Sequence, residues 1–207
     1  MLPKAESFNQ KLMGREIEIK IPLTDAEYDR LLSFVNGSEA HELCHILKSD
    51  RYYSRYSTEA ERREAVKVGT EPNVIRIRSE EDLQTHNKQS YFCYKYKSVE
   101  NGVEFNSENE TFIEDGDVLG QFFVGTGYTL YFEKIKDAWS VYCGNDPVVF
   151  HLELEIVNGL KYVEIEVTQS TLAADEVRRS LEDFVTKLGL DVSKRDSRSW
   201  MEITGAL

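Results

Sequence analysis

The segment REIEIKIPL, residues 15–23, carries a charged side chain at every second position. Glu16, Glu18 and Lys20 alternate with isoleucines, so a β-strand here would have one charged face and one apolar face. Closely spaced carboxylates suit a divalent metal ion, and a neighbouring lysine suits phosphate oxygens. The segment therefore predicts a strand whose charged face is fitted to metal and phosphate chemistry.

The same alternation recurs in later segments, where two like charges share a strand face opposite large apolar side chains. The pairs are Arg76 and Arg78, Lys95 and Lys97, Lys134 and Lys136, Glu153 and Glu155, and Glu164 and Glu166. A sheet with one solvated face is the ordinary interpretation of such a pattern. However, paired like charges repel unless something neutralises them, and the crowded apolar faces need helices to cover them. We therefore expect helices outside a barrel and charges inside it.

An interior with both signs of charge restricts what the barrel binds. A barrel of about eight strands has room for side chains or one small ligand. Burying lysine, arginine and glutamate there is unfavourable unless a ligand completes the charge balance. A polyanion with divalent cations does so, because Arg and Lys bind phosphate oxygens while glutamates bind Mg²⁺ or Mn²⁺.

Local signals locate the elements that position these residues. Thr24 and Glu27 have the spacing of a capping box at the start of one helix, and Gly189 ends another that carries an apolar stripe. Asn158-Gly159 predicts a tight hairpin turn. Shorter helices are expected within residues 58–69 and 115–125, among about eight strands. The predicted fold is α+β, an antiparallel eight-stranded β-barrel with flanking helices.

Composition argues against several functional classes. A formal charge of −12 over 207 residues makes the chain a poor general partner for nucleic-acid phosphates. Three cysteines without CxxC spacing favour neither a disulfide framework nor a zinc site. No apolar run approaches the roughly 20 residues of a membrane span or resembles a signal peptide. We expect a cytoplasmic monomer or homodimer with no nucleic-acid or membrane partner.

The ordered set of charged strands resembles a known family. EIEIK at residues 16–20 is similar to the ExExK signature of the CYTH superfamily, the triphosphate tunnel metalloenzymes. DRYY, IRIR, YKYK, EKIKDAW, LEIVNGL with YVEIEV, and RSWMEI follow in the family's order. The resemblance implies a single CYTH domain over residues 1–207, whose antiparallel tunnel binds a small-molecule triphosphate with Mg²⁺ or Mn²⁺.

The resemblance also implies roles for individual residues. Glu16, Glu18 and Lys20 would be catalytic. The metal ligands would be Glu16 and Glu18, with Glu164 or Glu166 and also Glu155. The phosphate-binding set would comprise Lys20, Arg76, Arg78, one or both of Lys95 and Lys97, Lys134 and Lys136, with Arg198 closing the tunnel mouth. Either Glu108 or Glu110 would supply the acid of the fifth strand.

Members of this family include class IV adenylate cyclases, thiamine triphosphatases and inorganic triphosphatases. The His-Phe that often precedes the first motif in the cyclases is absent, since KLMGR stands there, and no adenine-reading element is recognisable. We therefore expect metal-dependent hydrolysis of inorganic triphosphate, thiamine triphosphate or a nucleoside triphosphate. The alternatives are a class IV adenylate cyclase, converting ATP to cyclic AMP and pyrophosphate, and a non-enzymatic polyphosphate-binding module.

Overall fold

A computed structural model describes residues 15–37, 40–100, 103–145 and 147–205. Its strands are β1 (Arg15–Pro22), β2 (Ala40–Ser54), β3 (Val74–Asp82), β4 (Lys88–Glu100), β5 (Val103–Ile113), β6 (Thr129–Asn145), β7 (Val148–Val157) and β8 (Leu160–Ser170). Its helices are α1 (Asp25–Val35), α2 (Glu59–Lys67), α3 (Gly116–Gly125), α4 (Ala174–Lys187) and α5 (Trp200–Ile203), with a 3₁₀ turn at Val192–Lys194. Within these described ranges, each helix is too short or too polar to cross a membrane.

The strands close into one antiparallel barrel. Their order around it is β1-β5-β4-β3-β2-β6-β7-β8, and β8 pairs with β1 to complete the circle. Ile17 of β1 accordingly lies opposite Phe105 of β5 on one side and Val167 of β8 on the other. Because a closed barrel leaves no unpaired edge, it needs no partner chain to satisfy its backbone. The expected eight-stranded barrel with flanking helices is confirmed.

Two helices cover the outer face of β1, β7 and β8. α1 begins with the predicted capping box between Thr24 and Glu27. α4 buries Val177, Leu181 and Val185 completely against the apolar side chains of these strands. Since the apolar face of each strand meets the helices, alternation turns its charged face toward the barrel interior.

A third helix, α3, lies against β3 and the neighbouring strands. Phe123 packs there with Ile77 and Tyr53. At Gly120 a β-carbon would lie 2.7 Å from the Tyr53 hydroxyl oxygen. That separation is shorter than any normal contact, so glycine is what lets α3 approach β2 so closely.

An apolar layer, the plug, fills one end of the barrel. Phe132, Val157 and Tyr162 come from β6, β7 and β8, and Trp200 and Met201 of α5 pack against them. All five side chains are buried. The sequence did not predict α5, because a single turn is too short to show a helical period.

The turn between β7 and β8 has the geometry that its sequence predicts. Asn158 and Gly159 have φ values of 51° and 80°, the left-handed pair of a type I′ turn. The turn sets the register in which His151 lies opposite Glu166 and Glu153 lies opposite Glu164. A short local signal thus determines which charged side chains meet inside the barrel.

Replacing Leu181 by alanine should lower the free energy of unfolding by about 2–5 kcal/mol, because the side chain is fully buried under α4. Urea denaturation followed by tryptophan fluorescence measures this. Arg179→Ala, on the exposed side of α4, should change stability by no more than about 0.5 kcal/mol. Equal effects of the two substitutions would contradict the packing described for this helix.

Candidate functional site

Side chains from all eight strands enclose one cavity of about 400 Å³ inside the barrel. Nine of the predicted site residues line it, namely Glu18, Arg76, Arg78, Lys95, Lys97, Lys134, Lys136, Glu164 and Glu166. Both members of each undecided pair face inward, since Lys95 and Lys97 line the cavity together, as do Glu108 and Glu110. Four of the five like-charged pairs therefore face the cavity with both members, and Glu153 alone does so from the fifth.

Asp50 is the centre of a cationic cluster on β2, β3 and β6. Its carboxylate is fully buried, with Arg78 Nε at 2.6 Å, Lys134 Nζ at 3.2 Å and Arg76 Nη1 at 4.0 Å. Burial alone would raise the pKa of Asp50, but the three cations outweigh burial and hold it well below its usual range. Burial also lowers the pKa of Lys134 to about 8, although Asp50 acts in the opposite direction.

Lys136 has the complementary arrangement, one cation among three acids. Its Nζ donates to Glu164 at 2.7 Å and to Glu153 at 3.1 Å, and it also contacts Glu155. Burial alone would lower the pKa of Lys136, but the three carboxylates raise it well above its usual value. Burial and the nearby Glu164 raise the pKa of Glu155 to about 7. Trp200 Nε1 donates to the other Glu164 oxygen at 3.0 Å, which links the plug to this cluster.

On β3, β4 and β5, cations and acids also meet in pairs. Arg76 Nη2 lies 3.3 Å from Glu110 and 3.6 Å from Glu108, and Lys95 Nζ lies 2.5 Å from Glu108. The buried Cys93 thiol donates to Glu108 at 2.8 Å, and burial raises its pKa to about 12. Cys93 is therefore a neutral hydrogen-bond donor in this wall and not a reactive thiolate.

Two charged residues on the inner face of β2, Lys48 and Asp50, were missing from the predicted set. Lys48 lines the cavity and pairs with Glu153 and, at 3.3 Å, with Glu80, while Asp50 organises the cationic cluster. Their two-residue spacing is typical of one face of a strand. However, the opposite face of this segment carries the polar residues Ser49 and Arg51 instead of the large apolar residues found in the other charged strands. Arg51 is accommodated outside by Asp117 of α3, 2.8 Å away.

Three predicted site residues are absent from the cavity lining of the described chain. Lys20 is buried beside the plug, where Nζ donates to the Arg198 carbonyl oxygen at 2.6 Å and lies 5.3 Å from the Trp200 ring centroid. The Arg198 side chain is exposed and pairs with Asp196 at 2.7 Å. Glu155 is completely buried behind Lys136. Glu16 lies in β1, but its side chain falls outside the described part of the structure.

The carboxylates fit a divalent cation. Oxygens of Glu153, Glu155 and Glu164 lie within 4.8 Å of one another, and Glu18 lies directly opposite Glu166 on the neighbouring strand. Neither Glu155 oxygen accepts a hydrogen bond of normal geometry, although both are buried. Carboxylate oxygens of this kind are the ligands that Mg²⁺ and Mn²⁺ prefer.

Asp50→Asn should destabilise the protein by about 3–5 kcal/mol, because it leaves Arg76, Arg78 and Lys134 buried together without their shared counter-charge. Chemical denaturation measures the change. Asp137→Asn is the matched control, since that carboxylate is half exposed on the outer face, where it pairs with His45. It should cost no more than about 1 kcal/mol. A loss for Asp50→Asn no larger than the control's would refute the central role of Asp50.

Comparison with known proteins agrees with this geometry. The PH1819 protein of Pyrococcus horikoshii OT3 superposes with a TM-score of 0.69 at 19% identity, over 91% of this chain and 97% of that one. The PH1012 protein of the same organism gives 0.65 at 21% identity, over 90% and 98%. HpAC1 of Hippeastrum, described as having a dominant triphosphatase activity, gives 0.63 at 16% identity, over 93% and 97%. These likenesses show a shared fold.

No curated protein sequence matches the chain significantly. The sequence model of the CYTH domain, however, matches residues 14–199, which include every strand of the barrel and every predicted site residue. The match agrees with the closed barrel and its inward-facing charges. The chain belongs to the CYTH domain family.

Proposed function

We propose that the protein hydrolyses a triphosphate in the barrel with the help of a divalent metal ion. The observation that carries this proposal is the convergence of seven cationic side chains on one cavity of about 400 Å³, a size class suited to a small ligand. The seven are Lys48, Arg76, Arg78, Lys95, Lys97, Lys134 and Lys136. Seven glutamates line the same cavity, so a polyphosphate bound together with divalent metal ions would match both signs of charge.

The cations are oriented by carboxylates of the chain itself. Asp50 receives two hydrogen bonds from Arg78, from Nε at 2.6 Å and from Nη2 at 2.9 Å, which fixes the plane of the guanidinium. Lys136 is held by the carboxylates around it. Donors that are already in place lose little free energy to reorganisation when charge develops on a phosphate oxygen, which is the arrangement that favours catalysis.

The glutamates on β1 and β8 would hold the metal ion. Glu18 and Glu166 line the cavity as direct cross-strand neighbours, and Glu164 lies two residues along β8 on the same face. A divalent cation bound there would neutralise charge on the phosphate oxygens. The lysines and arginines of the facing strands would bind and align the remaining phosphates.

Hydrolysis requires less of the site than cyclisation does. A triphosphatase needs a water in line with a phosphorus, whereas a cyclase must also fix a nucleoside so that its ribose 3′ oxygen reaches the α-phosphorus. The triphosphatase activity ascribed to HpAC1 supports the first reaction for a protein of the same fold. Cyclisation is the second candidate, because Tyr91 and Tyr142 line the cavity and offer ring faces for a base.

Purified protein with Mg²⁺ or Mn²⁺ should release orthophosphate from inorganic triphosphate, and cyclic AMP should be a minor product from ATP. Chromatographic separation of orthophosphate, pyrophosphate and cyclic AMP measures both reactions. Glu18→Gln should abolish turnover, whereas Glu133→Gln, an exposed residue on the outer face of β6, should leave it unchanged. Cyclic AMP as the main product, with inorganic triphosphate inert, would establish the cyclase; no turnover of any triphosphate would leave a binding module.

Triphosphate should raise the melting temperature of the protein, because a polyanion that binds only the folded barrel stabilises it by mass action. Arg76→Ala should reduce this rise, since Arg76 is a buried cation of the cavity wall. Differential scanning fluorimetry with millimolar triphosphate measures the shift. Arg63→Ala, an exposed arginine of α2, should retain the full shift. The absence of any shift would contradict polyphosphate binding.

A further inference from the structure

One row of side chains crosses three neighbouring strands inside the barrel. His151 of β7 lies directly opposite Glu166 of β8, and Glu166 lies directly opposite Glu18 of β1. All three line the cavity. Directly opposed residues of antiparallel strands have β-carbons about 4.5–5.5 Å apart on the same face of the sheet. The row therefore presents one imidazole and two carboxylates to the same cavity, with Glu166 between the other two.

The orientation of the His151 ring is set by two neighbours. Its Nε2 lies 2.7 Å from Ser140 Oγ, and the ring stacks on Tyr142 with the centroids 4.9 Å apart. When Nε2–H donates to the serine oxygen, the lone pair of Nδ1 is left pointing into the row. The hydrogen bond of one ring nitrogen in this way selects the other nitrogen as a metal ligand.

Nδ1 of His151 lies 3.8 Å from Glu166 Oε2. In this tautomer the Nδ1 lone pair and the Glu166 oxygen face each other, and a cation between them would relieve their repulsion. Two ligands of one six-coordinate ion with bonds of about 2.1 Å are about 3.0 Å apart when adjacent and about 4.2 Å apart when opposite. The observed separation falls between these limits, so a single ion can contact both atoms with little movement.

The adjacent carboxylate cluster differs in its charge balance. Glu153, Glu155 and Glu164 surround Lys136, so a cation of the chain already occupies their midst. In the row of His151, Glu166 and Glu18, one imidazole accompanies two carboxylates, and no lysine or arginine belongs to the row. That row has the donors for a metal ion without displacing Lys136.

We infer that His151 is a nitrogen ligand of the divalent metal ion, which it binds together with Glu166 and Glu18. The inference rests on the proposed function, in which the same carboxylates hold that ion. An imidazole ligand suits Mn²⁺ better than Mg²⁺, because Mg²⁺ favours oxygen donors and binds nitrogen weakly. The protein should therefore bind Mn²⁺ in preference to Mg²⁺.

Binding of Mn²⁺ to the full chain, without triphosphate, tests the inference directly. Electron paramagnetic resonance of unbound Mn²⁺ yields the dissociation constant, and competition with Mg²⁺ yields the preference. His151→Ala should weaken Mn²⁺ binding by about tenfold or more. His151→Asn places an amide oxygen near the position of Nδ1, so it should retain Mg²⁺ binding while losing most of the preference for Mn²⁺.

His45→Ala is the matched control, because His45 stacks on Trp139 and bonds to Asp137 on the outer face of the barrel. It should bind Mn²⁺ as the wild type does. Unchanged Mn²⁺ affinity in both His151 variants, or no Mn²⁺ binding by the wild type, would overturn the inference. If the protein binds Mn²⁺ through His151 but cleaves no triphosphate, only the proposed function is refuted. If it cleaves triphosphate and the His151 variants bind Mn²⁺ as the wild type does, only the inference about His151 is refuted.

Discussion

The interior of this barrel depends on a single buried carboxylate. Asp50 lies on β2 between β3 and β6, and its direct cross-strand neighbours are Arg78 on one side and Lys134 on the other. Without a counter-charge, these cations would repel one another in a medium that screens charge poorly. Asp50 thus allows cations on adjacent strands to lie close together inside the barrel. Because these cations are close together, the cavity can bind a polyanion.

Lys136, two residues along β6 from Lys134, balances charge in the opposite sense. There one ammonium group holds three carboxylates, and Trp200 adds a hydrogen bond from the apolar plug. The interior therefore contains an acid among cations and a cation among acids. Buried ion pairs contribute little net stability when their desolvation is counted. Their value here is geometric, because each holds its neighbours in fixed orientations around the cavity.

Much of this arrangement follows from the sequence because a strand has a period of two. Glu18, Arg76 and Lys134 were placed on inward faces from alternation alone, and the hairpin at Asn158-Gly159 from its turn residues. Alternation indicates which face of a strand a side chain occupies, but not its position along the barrel axis. It therefore assigns Lys20 and Glu18 to one site, although Lys20 lies beside the plug. The pairing of Asp50 with Arg78 depends on the register between β2 and β3, which are joined by a long connection and not by a tight turn, so no local signal specifies it.

β1 forms its ladders with β5 and β8, strands that lie far from it in the sequence. Closing such large loops costs chain entropy before any contact compensates it, so barrels of this connectivity fold more slowly than helical proteins of similar size. The circle is complete only when the first strand of the barrel meets the last. Glu18 and Glu166 stand at that seam, one on each side. The carboxylate pair is consequently assembled only when β1 meets β8, and a partly folded chain in which these two strands are unpaired has no such pair to offer.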